Sequence, residues 1–300
     1  MKSLFHFAYF PIAPPNHAHN PFHALATHLG AVACYRIDVA QSIFADVDFR
    51  GVLAMKLSRT KIELFQNCPR CFWLEVKAGV KRPPGFPLNL NNAVDHLFKC
   101  EFDAYRGGTV VPPRLQKAGL AYIPAAHPSF KVWRQNFKGV STNHAATGLE
   151  LYGAIDDLWV DKEGMHYVAD YKATSKAADV SLDDDWQIGY KRQVEFYQWL
   201  LRQNGLRVSN RAWFVYANGI KDGSAFNDVL HFRTKLIPYD GSDAWVEPTL
   251  LAVKDCLGRT QAPVAANDCK HCAYVKAASA SVAIPVTGTR NPDPDGESPA

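Results

Sequence analysis

Residues 149–172 read Leu-Glu-Leu-Tyr-Gly-Ala-Ile-Asp-Asp-Leu-Trp-Val-Asp-Lys-Glu-Gly-Met-His-Tyr-Val-Ala-Asp-Tyr-Lys. Two apolar runs flank Asp161-Lys162-Glu163-Gly164, a turn composition that predicts a hairpin of strands over Leu149–Val160 and Met165–Lys172. Side chains alternate faces along a strand, so Asp170 and Lys172 project together while Tyr167, Ala169 and Tyr171 project oppositely. If the strands pair, Asp156, set between Ile155 and Leu158, approaches Asp170 across the sheet. Two like charges in register repel, so a cation is expected between them, and hard oxygen ligands suit Mg²⁺ or Mn²⁺. Lys172 beside such an ion can position or help deprotonate a water. These are the parts that phosphodiester hydrolysis needs. An isolated Asp-x-Lys is more often a surface ion pair on an amphipathic strand; the preceding acid, the apolar strands and the helix that follows weaken that reading here.

Outward from this hairpin the pattern is mixed α/β. Ser58 caps a short helix to Phe65, and Asn92–Tyr105 is a helix with Val94, Leu97, Phe98, Phe102 and Tyr105 on one face. Trp186–Gln203 is a long amphipathic helix closed by Asn204-Gly205. Strands are expected at Arg211–Ala217 and Val229–Thr234, and a last helix at Asp243–Leu257.

The chain has 300 residues, 47% hydrophobic and 21% charged, enough for one substantial core. Residues 1–55 lack a sustained period and read as an N-terminal extension, disordered or an over-extended start, dispensable for folding. Residues 56–276 form the working domain, and the Ala/Ser/Pro-rich residues 277–300 a disordered tail. No apolar run of about 18 residues occurs, which excludes a membrane span, and no secretory signal is legible, so a cytoplasmic location is expected.

Charge is uneven behind a net of +4. Residues 56–138 hold 14 Lys+Arg against 5 Asp+Glu, whereas residues 139–300 hold 16 against 21. Such asymmetry fits a polyanion-binding wall facing a carboxylate site, or two solvated faces. In the first reading Lys77, Lys81, Arg82, Arg106, Arg114, Lys117, Lys131 and Arg134 hold phosphates, with Phe86, Phe130 and Trp133 stacking on bases.

Cys68-Pro-Arg-Cys71 and Cys269-Lys-His-Cys272 are two Cys-x₂-Cys pairs at the two ends of the domain. Each offers two thiolates to one ion or cluster, and joining them would pin the domain's start to its end. Cys34, Cys100 and Cys256 show no pairing.

Gly153-Ala-Ile-Asp156, then Val168-Ala-Asp170-Tyr-Lys172, then Gln193-Val-Glu-Phe-Tyr197 resembles the PD-(D/E)XK nuclease superfamily, and most closely its RecB-like branch. That branch includes the four-cysteine nucleases of CRISPR adaptation. The resemblance covers roughly 56–276 and implies a restriction-endonuclease-like α/β core, a central mixed sheet flanked by helices. It implies that Asp156 and Asp170 hold the metal, that Lys172 serves the nucleophilic water, and that the Tyr171 carbonyl adds a ligand. Gln193 and Tyr197 match the family's Gln-x-x-x-Tyr motif, which faces DNA and the active site. The branch carries a histidine on the early helix in a Gly-x-x-x-His setting. Here Asn91 replaces the glycine and Asp95 falls at the histidine, with Glu101 the fallback ligand. The implied function is a Mg²⁺/Mn²⁺-dependent deoxyribonuclease of DNA repair, recombination or processing, working on DNA and with a helicase or other DNA-processing partner. An inactive nucleic-acid-binding module is the alternative. For the cysteines the resemblance implies a [4Fe–4S] staple. The relatives place one cysteine early and three late, and the two-and-two arrangement here keeps Zn²⁺ open.

Overall fold

The computed structural model describes residues 55–282. Expectations about residues 1–54 and 283–300, Cys34 among them, lie outside the described residues.

In chain order the elements are β1 (Lys56–Ser58), α1 (Arg59–Asn67), α2 (Pro69–Val76), α3 (Asn89–Asp103), α4 (Pro113–Lys117), β2 (Ile123–Pro124), α5 (Phe130–Trp133) and β3 (Val140–His144). Then come β4 (Leu149–Gly153), β5 (Asp157–Val160), β6 (His166–Thr174) and a 3₁₀ turn at Asp185–Gln187. The described residues end with α6 (Ile188–Gln203), β7 (Arg211–Gly219), β8 (Phe232–Asp240), α7 (Val246–Gly258) and α8 (Lys270–Val282). A five-stranded mixed sheet runs β2-β5-β6-β7-β8, and a three-stranded sheet runs β1-β4-β3. Among the described strands only the β6–β7 and β1–β4 pairs are parallel. This is the expected mixed α/β architecture, a central sheet flanked by helices.

Both faces of the five-stranded sheet are covered. Leu158, Val168, Phe214 and Tyr216 pack with Val194, Phe196 and Leu200 of α6. Trp159, Ala169, Tyr171, Trp213 and Val215 pack on the other face with Phe98 and Phe102 of α3. The near-continuous apolar run of β7 follows from that double burial. Strand β8 is an edge, which accommodates Pro238 without loss of a ladder bond on a second side.

Several boundaries differ from the sequence reading. Leu149–Val160 is not one strand: β4 and β5 belong to different sheets, separated by Ala154, Ile155 and Asp156. Gly153, the last residue of β4, lets the Tyr197 ring approach, since a Cβ there would lie 2.6 Å from it. The hairpin proper is β5–β6, with Asp157 opposite Ala169. Strand β8 starts at Phe232 and continues to Asp240, well past Thr234. Helix α8 continues to Val282, six residues beyond the boundary expected at 276. Leu97 is 65% exposed rather than part of the buried face of α3. Helix α2, unforeseen, starts with Pro69 at its first position, where proline's fixed φ and missing N–H cost nothing.

Among the described residues, no helix is long and apolar enough to cross a membrane.

Candidate active site

Strand alternation puts Asp170 and Lys172 on the α6 side of the sheet and Tyr171 on the α3 side. Asp170 is completely buried. Its carboxylate meets the Lys172 ammonium as an ion pair, yet neither oxygen receives a hydrogen bond of proper geometry. Burial pushes the Asp170 carboxyl up to about 6; the Lys172 charge opposes that rise and the Asp156 charge adds to it. Lys172 lies 4.6 Å from the centre of the Tyr190 ring. Burial works against its charge, but Asp170 and then Asp156 outweigh burial and hold its pKa above the usual lysine value.

Asp156 sits in the gap between β4 and β5. Its Oδ2 accepts from the Tyr171 amide at 3.0 Å, which fixes it beside Asp170. Its Oδ1 lies 3.4 Å from Lys99 Nζ, and the same ammonium donates to Asp95 Oδ2 at 2.7 Å. Burial, then repulsion from Asp156, raises the Asp95 carboxyl above its ordinary value. Asn91, one turn earlier on α3, donates to the Ala173 carbonyl at 2.8 Å and ties the helix to the end of β6. Asn91, Asp95 and Lys99 are thus one i, i+4, i+8 stripe facing the carboxylates. Glu101 points elsewhere, into a bidentate pair with Arg114 at 2.8 and 2.9 Å. His96 is exposed beside Cys100, 3.6 Å away.

Gln193 Nε2 donates to the Tyr197 hydroxyl at 3.2 Å, so the two share one face of α6 as their spacing predicts. Tyr197 is buried, which raises its pKa; Arg59 opposes that rise, while Asp156 and Asp170 add to it. Arg59 is the first residue of α1, with a buried Nε that has no hydrogen-bond partner. The guanidinium also stabilises the Asp170 carboxylate. Arg59, Glu63, Trp186, Tyr190, Gln193 and Lys270 line a cleft of about 610 Å³ beside this group. Sequence reasoning missed Arg59 and Lys99. An arginine following an N-cap serine and a lysine four residues after an aspartate carry no signal of a site until the helices are docked.

Much of the expected phosphate-binding wall is committed elsewhere. Arg106 and Arg134 both pair with Asp103 and Asp157 and stack on Phe130 at 3.8 and 4.4 Å. Phe130 and Trp133 are core residues. Arg114 holds Glu101, and Lys77 donates to the carbonyls of Leu257 and Arg259 at the end of α7. Lys81, Arg82, Phe86, Lys117 and Lys131 remain exposed.

The four expected cysteines converge. Cys68 stands between α1 and α2, Cys71 within α2, and Cys269 and Cys272 at the start of α8. Their Sγ atoms all lie within 4.8 Å of one another, so the set fits a metal site that staples the domain's start to its end. Burial disfavours the Cys68 thiolate, but backbone hydrogen bonds from Ala266 and Cys71 and the neighbouring thiols bring its pKa down to about 7. Cys256 is buried away from the set, its Sγ 3.9 Å from the Pro69 carbonyl.

The family model described as the PD-(D/E)XK nuclease superfamily matches residues 102–277, a span that contains Asp156, Asp170, Lys172, Gln193, Tyr197, Cys269 and Cys272. No curated protein matches. Among solved structures, the crystal structure of SSO0001 is 15% identical and aligns over 79% of this chain and 89% of that one, with a TM-score of 0.37.

Proposed function

The chain belongs to the PD-(D/E)XK nuclease superfamily, and from that premise we propose that it is a divalent-metal-dependent deoxyribonuclease. One observation carries the reading: Asp170 is fully buried, paired with the Lys172 ammonium but with neither oxygen in a well-formed hydrogen bond, beside a second carboxylate held in place by a backbone amide. Two carboxylates held side by side in a buried site repel, and a cation between them would offset that repulsion. Asp170 and Asp156 form an oxygen donor set of the kind Mg²⁺ or Mn²⁺ takes. Asp95 reaches the far side of Asp156 through the shared Lys99 ammonium and is proposed as the third carboxylate, with the Tyr171 carbonyl as a further oxygen.

A bound divalent ion supplies Lewis acidity and a nucleophilic hydroxide at neutral pH. The chain's own residues do the rest. Lys172 is positioned by Asp170 and the Tyr190 ring to donate to the attacking water or to a phosphate oxygen. Arg59, with its unsatisfied buried Nε, is placed to neutralise charge growing on the phosphoryl group. Tyr197, oriented by Gln193, lies against the same carboxylates and fixes the wall on which the strand rests. The proposed role of the cysteine site is structural, since no cysteine is among the groups around Asp170.

The direct test is cleavage of single- and double-stranded DNA with Mg²⁺ or Mn²⁺. Lys99 favours a second reading: its ammonium already bridges Asp95 and Asp156, as a charge-neutralised site without an ion would require. No cleavage with either ion, together with retained DNA binding, would establish the inactive binding module.

Two variants separate the roles on α3. Asp95→Ala is expected to lower cleavage and to recover partly at high Mn²⁺. Glu101→Ala is expected to leave the rate unchanged, because it removes a solvent-facing pair with Arg114 worth about 0–1 kcal/mol of stability. The reverse pattern would move the third ligand nearly two turns along the helix.

Arg59→Ala is expected to reduce the rate by on the order of 10², the typical cost of one electrostatic group at a transition state. Arg59→Lys should restore part of it. An unchanged rate in single-turnover cleavage by Arg59→Ala would remove Arg59 from the mechanism.

A further inference from the structure

The geometry points to a single zinc ion, not a four-iron cluster, at Cys68, Cys71, Cys269 and Cys272. This inference rests on the reading of the four thiolates as a structural metal staple and is independent of whether the chain cleaves DNA.

The sulfur spacing decides between the two metals. A tetrahedral zinc–thiolate site has Zn–S bonds of about 2.3 Å, so its sulfurs stand at tetrahedron edges of about 3.8 Å. The Sγ separations are 3.6 Å for Cys71–Cys269, 3.6 Å for Cys71–Cys272 and 3.9 Å for Cys68–Cys272. In a cubane each thiolate binds a different iron from outside the cube, which sets the thiolates on the order of 6 Å apart. Here no pair of the four exceeds 4.8 Å. The sulfurs enclose room for one ion and none for four irons with their bridging sulfides. The [4Fe–4S] centre implied by the family resemblance therefore does not fit these residues.

The flanking structure gives the set little freedom to expand. Cys68 and Cys71 are buried in the main core with Leu64 and Phe72. Cys68 Sγ stands 3.9 Å from Cys272 Sγ on the opposite segment, and Cys269 packs on the same core. Opening the sulfurs to cubane spacing would break these contacts and push α8 away from α2. A tetrahedral four-sulfur site with one ion is filled by zinc in preference to harder metals. The pairing spans 198 residues from Cys71 to Cys269, so the ion closes the domain on itself.

A redox-inert staple has a consequence for the active site. Arg59 and Glu63 on α1 and Lys270 on α8 line one cleft, and Cys68 and Cys269 sit directly beyond these elements. Zinc has no redox chemistry, so the position of these residues would not respond to oxidants or reductants short of thiol oxidation.

The test is metal analysis of the full chain, produced in medium containing both iron and zinc and purified without air. About one zinc per chain is expected, with colourless protein and no acid-labile sulfide. Exchange with Co²⁺ should give the visible bands of a tetrahedral thiolate complex, and dithionite should leave the melting temperature unchanged. Cys272→Ser should lower zinc retention, while Asp170→Asn should keep full zinc content even though that variant is chosen to be inactive. Brown protein with about four irons and four sulfides per chain would overturn the inference. So would one iron without sulfide, or a fully folded chain carrying no metal. Failure of the nuclease reading would appear instead as absent cleavage with zinc content intact.

Discussion

Asp170→Asn is expected to abolish divalent-dependent DNA cleavage while leaving a folded protein. The substitution keeps the side-chain volume in a site that is completely buried and tightly packed. It removes the formal charge that an oxygen-coordinated cation requires, and the amide oxygen still faces the Lys172 ammonium. The loss in rate should be at least on the order of 10²–10³, the usual cost of deleting one group that stabilises transition-state charge. Lys172→Met should lose rate similarly but for a different reason, because the proposed partner of its ammonium is the water or phosphate rather than the metal. Direct metal binding separates them: calorimetric titration with Mn²⁺ should lose its binding heat in Asp170→Asn and retain most of it in Lys172→Met. If Asp170→Asn cleaves DNA at the parent rate, this carboxylate holds no catalytic ion and the proposed function is wrong at its centre.

The residues of β6 show how far the sequence could be read. A strict period of two assigns Asp170 and Lys172 to one face and Tyr171 to the other, and burial on both faces keeps that register fixed. The turn before it was equally legible: Gly164 has φ of +75°, and Asp161 accepts from the amides of Glu163 and Met165. The break after Gly153 was not, because Leu149–Val160 has strand propensity throughout. At the end of β4 Gly153 makes room for the Tyr197 ring, which arrives from a helix more than forty residues later. Arg106 and Arg134 were misread for the same reason. Locally they are two cations in a basic stretch, and only the folded chain brings Asp157 and Phe130 to them. Spacing did locate the four cysteines, but their sulfur separations, which distinguish one ion from a cluster, are a property of the docked helices.

Adjacent aspartates at 156 and 157 give the sharpest contrast, because one chemistry occupies two opposite environments. Asp157 is wholly buried on the α3 side and serves the fold. Its Oδ1 accepts from the Leu158 amide at 2.8 Å and from Arg106 at 2.7 Å, with Arg134 at 3.5 Å. Its Oδ2 accepts from the Tyr171 hydroxyl at 2.5 Å and from Trp159 Nε1 at 3.4 Å. Asp157→Ala would strand those donors and leave Arg106 and Arg134 with Asp103, which is half exposed, as their remaining carboxylate partner. Breaking a buried pair by removing one partner costs about 3–5 kcal/mol. For a domain of this size each kcal/mol lowers the melting temperature by about 2–4 °C, so a fall on the order of 10 °C is expected. Asp156→Ala instead gives up the bond from the Tyr171 amide and a partly solvated contact with Lys99, a loss of about 1 kcal/mol. Its cleavage activity should nevertheless vanish. Assayed well below both melting transitions, Asp157→Ala should retain measurable cleavage and Asp156→Ala none. An Asp157→Ala protein that melts with the parent but cannot cleave, paired with an active Asp156→Ala, would exchange the two assignments and put the catalytic metal on the α3 side of the sheet.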